Sequence, residues 1–116
     1  MPRSVVPVTA AAGVAAGVEV VKDAADAAND HKVANPIGSR VLIFIETGGT
    51  QITATIKGVS QIVHVDDIVE VCEINKIHVF GPYAAPLFTQ PSGVDAGSIQ
   101  IDLDVDTAGF LFAIAF

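Results

Sequence analysis

The chain has no tryptophan, one tyrosine, one methionine and one cysteine in 116 residues, and its six Lys plus Arg are outnumbered by thirteen Asp plus Glu. Each scarcity excludes a class of protein. A single thiol, Cys72, cannot close an internal disulfide, so the fold must hold by packing or association rather than by a covalent staple. A formal charge of −7 has the wrong sign for coating nucleic acid, where affinity rests on neutralised phosphates. No run reaches the roughly 18 strongly apolar residues of a membrane span, because Val5 to Val21 is interrupted by Pro7 and Thr9 and is rich in Gly and Ala. The same stretch lacks the Leu or Phe density of a secretion signal. A cytosolic product without a membrane anchor is expected.

Recognisable chemistry is equally scarce. A nucleophilic Cys72 would need a histidine beside it, and His31, His64 and His78 stand in no catalytic signature, so Cys72 reads as a small apolar core residue. Gly48-Gly49 and Gly81-Pro82 are turn signals, not phosphate cradles, because no helix start with Lys or Ser/Thr follows them. No Ser sits in a nucleophile elbow. Asp102, Asp104 and Asp106 share one strand face, and Asp66-Asp67 with Glu70 make a second acidic group. On a regular strand alternate side chains stand about 7 Å apart and cannot all reach one ion. These acids read instead as a solvated sheet face that discourages edge pairing. The expectation is therefore no catalytic residue, no metal ligand, no cofactor and no enzymatic activity. A Ser, a His and an Asp converging in a pocket would reverse it.

What the chain does have is Val, Ile and Ala in patterns that change along its length. Residues 1–35 read as an N-terminal arm, extended or partly helical: Val5-Val6-Pro7-Val8 is extended, an Ala/Gly-rich stretch follows, and one short helix could form between Lys22 and Ala28. Small side chains bury little surface against the entropy of ordering, so the arm is expected to order on a neighbour, with Val5, Val6, Pro7 and Val8 as the contact. At full stretch thirty residues reach roughly 100 Å.

From Asn35-Pro-Ile-Gly38 onward the texture is strands separated by turns, which assigns 36–116 to one domain. Val41 to Ile45 is apolar throughout, as in a strand covered on both faces. Thr50 to Lys57 alternates after Gly48-Gly49, and the two are expected to pair as a hairpin. Ile77 to Phe80 is a strand that Gly81-Pro82 should end, with His78 facing away from Ile77 and Val79. A second hairpin is expected between Ile99–Asp106 and Phe110–Phe116, with Ile99, Ile101, Leu103 and Val105 in the core and Phe110, Phe112, Ile114 and Phe116 completing the core or a subunit interface. About six to eight strands and no committed helix predict an all-β antiparallel sandwich or barrel.

The stretch Ala24-Ala25-Asp26-Ala27-Ala28-Asn29-Asp30-His31-Lys32-Val33-Ala34-Asn35, the apolar strand Val41 to Ile45, Phe80-Gly81-Pro82-Tyr83 with Leu87-Phe88-Thr89-Gln90, and the closing alternating segments resemble the small β-sandwich virion proteins of tailed bacteriophages. Asp30 stands where that pattern commonly has Gly, and Val33 where it commonly has an aromatic. The resemblance implies a capsid decoration or cement protein on the virion surface, bound to the major capsid protein and itself a homo-oligomer, a trimer. A neck or tail component is the alternative within that class. A carbohydrate-binding or adhesin-like sandwich is the alternative outside it, and exposed aromatics on one face would mark it.

Overall fold

The computed structural model describes residues 3–10, 19–34, 40–58, 66–84, 97–105 and 109–115. Among these are ten strands and no helix: β1 (Ser4–Val5), β2 (Val8–Ala10), β3 (Asp23–Ala24), β4 (His31–Ala34), β5 (Arg40–Glu46), β6 (Ile52–Ile56), β7 (Ile68–Cys72), β8 (Ile77–Ala84), β9 (Ser98–Leu103) and β10 (Phe110–Ala115). They build two sheets. The first runs β1-β4-β9-β6-β7 and the second β2-β10-β5-β8, with β3 also paired to β10. The chain is thus an all-β sandwich. Its sheets are mixed, because β1 joins β4 and β2 joins β10 in parallel while the other pairs are antiparallel.

The core lies between the sheets. Ile43 and Ile45 of β5 and Leu111 of β10 meet Ile52 and Ile56 of β6 and Ile99 and Ile101 of β9, all fully buried. Each belongs to a strand whose alternate residues point one way, so the period of two in the sequence becomes one wall of the core. Burying a side chain of this size stabilises by about 1.5–3 kcal/mol.

Neither expected hairpin forms. β5 pairs with β10 and β8, and β6 pairs with β7 and β9, so the segment through Gly48-Gly49 crosses from one sheet to the other. β9 and β10 likewise lie in opposite sheets. Alternation reports which face of a strand is apolar and says nothing of which strand lies beside it; both pairs meet across the core instead of edge to edge. The crossing at 47–51 is held to the crossing at 73–76: Thr47 N–H donates to the Lys76 carbonyl (2.9 Å) and Asn75 N–H to the Gly48 carbonyl (2.8 Å). Thr47 is buried, and its hydroxyl donates to the Glu73 carbonyl and accepts from the Lys76 N–H.

β8 continues through Gly81-Pro82 to Ala84. It lies at the edge of its sheet, where proline costs no ladder bond, and the register against β5 shifts between Val41 and Ile43. Gly81 takes a φ of 104° there, a left-handed conformation that suits a bulge and that glycine adopts freely.

Residues 3–10 and 19–34, read from composition as an arm, are paired into the sandwich. One segment serves both sheets, β1 beside β4 and β2 beside β10, changing layer at Val6-Pro7. Val6 N–H donates to the Lys32 carbonyl (2.8 Å), and the Pro7 carbonyl accepts from Ala113 N–H (3.2 Å). Between these anchors the Val6 side chain is buried in the core. Where a short helix was expected there is a single turn. Asp30 N–H donates to the Asp26 carbonyl, the Asp26 carboxylate accepts from Asn29 N–H, and Asp30 at φ 59° turns the chain into β4. Its carboxylate then accepts the Leu103 N–H (2.9 Å), a bond that glycine at this left-handed position could not make.

Candidate functional site

The densest polar cluster lies where β1, β3 and β4 meet. His31 is buried, with Nδ1 2.9 Å from Asp23 Oδ2, and the Ser4 hydroxyl donates to the same oxygen at 2.8 Å. A Ser, a His and an Asp therefore do converge. Their order is wrong for nucleophilic catalysis, which needs the hydroxyl on the imidazole and the carboxylate behind it. Here the carboxylate stands between the other two. The far ring nitrogen, Nε2, accepts the backbone N–H of Asp26 at 2.9 Å, so it has no lone pair for a substrate proton, and that donor leaves Nδ1 as the protonated nitrogen facing Asp23. The cluster is a closed knot. It ties three short strands that have few ladder bonds of their own.

Arg3 extends the knot to β9. Its Nη1 donates to the carbonyls of His31 and Ile101 (3.2 Å each) and to Asp102 Oδ1 at 2.6 Å. Asp102 is thereby paired, and the Asp104 carboxylate accepts the Thr53 N–H at 2.7 Å; Asp106 lies outside the described residues. Of the second acidic group, Asp67 meets Lys57 at 3.3 Å and accepts the Gly58 N–H, while Glu70 is exposed on the edge strand β7. No group of three or more His, Cys, Asp or Glu among the described residues is arranged to hold a metal ion. Asp26 is held below its ordinary value chiefly by the hydrogen bonds it accepts from Asn29, with His31 contributing.

Cys72 is fully buried on β7 opposite Ile52. Burial, helped by the charges of Glu70 and Asp104, pushes its thiol up to about 11, which keeps it protonated and unreactive at neutral pH. An open depression of about 500 Å³ is lined by Glu46, Thr47, Asn75, Lys76 and Ile77. Of its polar groups, Glu46 is bound by Lys22 Nζ at 2.8 Å, and Thr47 is committed to the crossings. His78 faces inward between exposed Ile77 and Val79, opposite Ile45, and its buried Nδ1 meets no hydrogen-bond partner.

The remaining candidate is an apolar surface. On β10 the inward side chains are Leu111, Ala113 and Ala115, all buried, and the outward ones are Phe110, Phe112 and Ile114. The larger residues thus point away from the core. In register beside them β5 presents Leu42, Phe44 and Glu46, and beyond those β8 presents Ile77 and Val79. Phe44 and Phe112 stack in parallel with ring centroids 4.8 Å apart. Ile77 and Val79 are 59 % and 58 % exposed and Phe110 41 %. The only charged residue on these positions, Glu46, is paired to Lys22, whose Nζ also lies 5.2 Å from the Phe110 ring centre.

The residues singled out from sequence separate accordingly. Phe110, Phe112 and Ile114 do not complete the core but form this outer face, and Phe116 lies outside the described residues. Of the four arm residues Val6 is in the core, Pro7 and Val8 are half-buried, and Val5 is exposed; Val6 thus has no side chain to offer a neighbour. The knot of Ser4, Asp23 and His31 was not foreseen, since its members are eight or more residues apart and carry no motif. The outer face could have been. Val41 to Ile45 is apolar at every position, which demands cover on both sides.

No helix among the described residues is long and apolar enough to cross a membrane. Comparison with family models, curated proteins and solved structures finds no match.

Proposed function

We propose that the chain is a structural virion protein of the capsid-decoration type, a β-sandwich that binds the major capsid lattice from outside and stabilises it. The observation that carries this reading is the apolar outer face of the second sheet, which marks the chain as a component of an assembly. A sheet with water on one side alternates apolar and polar residues, whereas contiguous exposed apolar surface marks a contact with another macromolecule. The closed hydrogen bonding of Ser4, Asp23 and His31 supports an assembly role in a second way, because the most chemistry-bearing cluster is committed to holding strands together. Weak contacts per copy suffice on a lattice, where many linked copies gain by avidity.

The carbohydrate-binding alternative meets its own mark, aromatics on one face, but not the chemistry that goes with it. Sugar recognition needs polar groups among the rings to take the hydroxyls. Here the ring faces of Phe44 and Phe112 are turned on each other, and the one carboxylate is engaged by Lys22.

The reading is tested on particles carrying the gene for this chain. Quantitative mass spectrometry of purified virions should find it in tens to hundreds of copies, on the order expected of a lattice component, and immunogold labelling should place it on heads. Label on the neck or tail would move the assignment to those structures. Absence from particles would overturn it.

A further inference from the structure

We infer that the outer face of the second sheet is covered by the same face of a second copy of this chain, two sandwiches stacking sheet on sheet about a two-fold axis. The inference rests on the reading of that face as an association surface and names its occupant.

Charge argues first. The chain carries −7, so two copies repel at most approaches. Its described carboxylates are distributed unevenly. Asp66, Asp67, Glu70 and Glu73 lie on or beside β7, and Asp102 and Asp104 belong to the β9 region, all in the first sheet or at its margin; Asp23, on β3 beside β10, is opposite inward Leu111 and is bonded to Ser4 and His31, and Asp26 and Asp30 belong to the turn before β4. On the second sheet's outer face the one carboxylate among the described residues, Glu46, is neutralised by Lys22 at 2.8 Å. This is the surface on which one copy can meet another without setting like charges opposite one another. Among the described side chains of that face the charged groups, Glu46 and Lys22, are already paired with each other.

Shape argues second. Stacked sheets pack about 10 Å apart with strand directions within about 30°, an angle that follows from their twist. Two copies of one sheet share the same twist, so a face meeting its own copy satisfies this condition without further adaptation. The interdigitating residues are already in rows: Phe112, Phe44 and Val79 are successive neighbours across β10, β5 and β8, with Ile114 beside Leu42 and Glu46 beside Ile77. A face that packs on itself is closed by a two-fold and leaves no open end.

The inversion on β10 argues third. Phe110, Phe112 and Ile114 outside, against Leu111, Ala113 and Ala115 inside, is the pattern of a strand whose larger burial is on the far side. The thin inner row lets the two sheets of one chain close. The thick outer row is what a second layer would bury.

The test is sedimentation equilibrium on the full-length protein, alone and with one lysine placed in the face. Val79→Lys is suited to this because Val79 is 58 % exposed on an edge strand, where a lysine is tolerated in the folded chain. The wild type should sediment at twice its 11.9 kDa chain mass, and Val79→Lys should weaken that association by on the order of a hundredfold or more, the effect of an unpaired charge carried into an interface. The control Val69→Lys, at a 61 % exposed position on β7 of the other sheet, should leave the mass unchanged. Circular dichroism should show all three folded. A monomeric wild type, a three-fold assembly, or a dimer indifferent to Val79→Lys would overturn the inference. If the wild type is monomeric and Val79→Lys is nonetheless lost from virions, the face docks on a different protein. The preceding proposal then stands and the second-copy inference alone fails.

Discussion

The two sheets solve the same burial problem inward and opposite problems outward. On the first, the residues facing away from the core are Lys32 on β4, Gln100 and Asp102 on β9, and Thr53 and Thr55 on β6, with Val69 and Val71 only at the edge. On the second they are Phe110, Phe112 and Ile114, Leu42 and Phe44, Ile77 and Val79, with Glu46 paired to Lys22 and Thr9 beside Ile114. The first sheet is finished by water. The second is apolar across its outer face, and the proposed assembly role rests on this difference. It also shows why the single-chain core is not the whole account of apolar burial. About half of the residues are hydrophobic, 51 %, and a domain this small cannot cover them all by itself.

If the comparison is right, the inner faces must behave alike even though the outer ones do not. Ile43→Ala in the second sheet and Ile101→Ala in the first remove fully buried side chains and should each cost about 2–5 kcal/mol of unfolding free energy, through lost transfer energy and the cavity left behind. Urea denaturation of both variants measures this. A large loss at Ile101 with almost none at Ile43 would mean that the second sheet is not packed on the first, and the contrast between inner and outer faces would collapse.

A smaller effect is expected at the margin of the first sheet. Cys72→Ser places a hydroxyl in the buried site opposite Ile52 and should cost about 1–3 kcal/mol, the desolvation of a polar group with no partner. In the native protein the thiol, raised to about 11, should resist alkylation at neutral pH and react only after denaturation. Rapid native alkylation would show that β7 detaches from β6 more readily than its pairing implies.

The smallest effect sharpens the role of the knot between the sheets. Asp26 has a depressed folded value, so it adds stability that is present above its ordinary 3.8 and is lost as pH falls from there through the folded value. The stability difference between wild type and Asp26→Asn should be greatest at neutral pH and shrink below pH 3.8. A difference independent of pH would assign the contribution to turn geometry alone. Asp26 is a surface carboxylate in a turn, and the effect is expected to be slight.

Much of this layout is legible along the chain. Ile99, Ile101 and Leu103 face inward as their alternation requires, His78 faces away from Ile77 and Val79, and Cys72 is a core residue. What misleads is adjacency. The segments around Gly48-Gly49 and before Phe110 carry hairpin-like alternation, yet each joins opposite sheets, because a turn of five or six residues can span the distance between layers as readily as it can reverse within one. Gly109 illustrates the tertiary constraint: a Cβ there would lie 2.9 Å from the Glu46 carbonyl oxygen, a demand made by a strand sixty residues earlier. The N-terminal segment misleads through its composition. Among small residues, Val6 and Val33 supply the buried anchors, and Arg3, Ser4, Asp23 and His31 supply bonds that no local pattern announces.

The sequence by itself therefore determined the class of fold, the inward residues of β5, β6, β8 and β9 and the absence of a recognised catalytic motif, because these follow from the two-residue period of an extended chain and from the chemistry of the side chains. Only the tertiary structure decided which strands are neighbours, that residues 3–10 serve both sheets, and that the larger side chains of β10 point outward. Those depend on contacts between residues far apart in the chain. Strand pairing and layer order are fixed by the joint packing of all segments, and a one-residue choice of face decides which row meets the core and which faces outward.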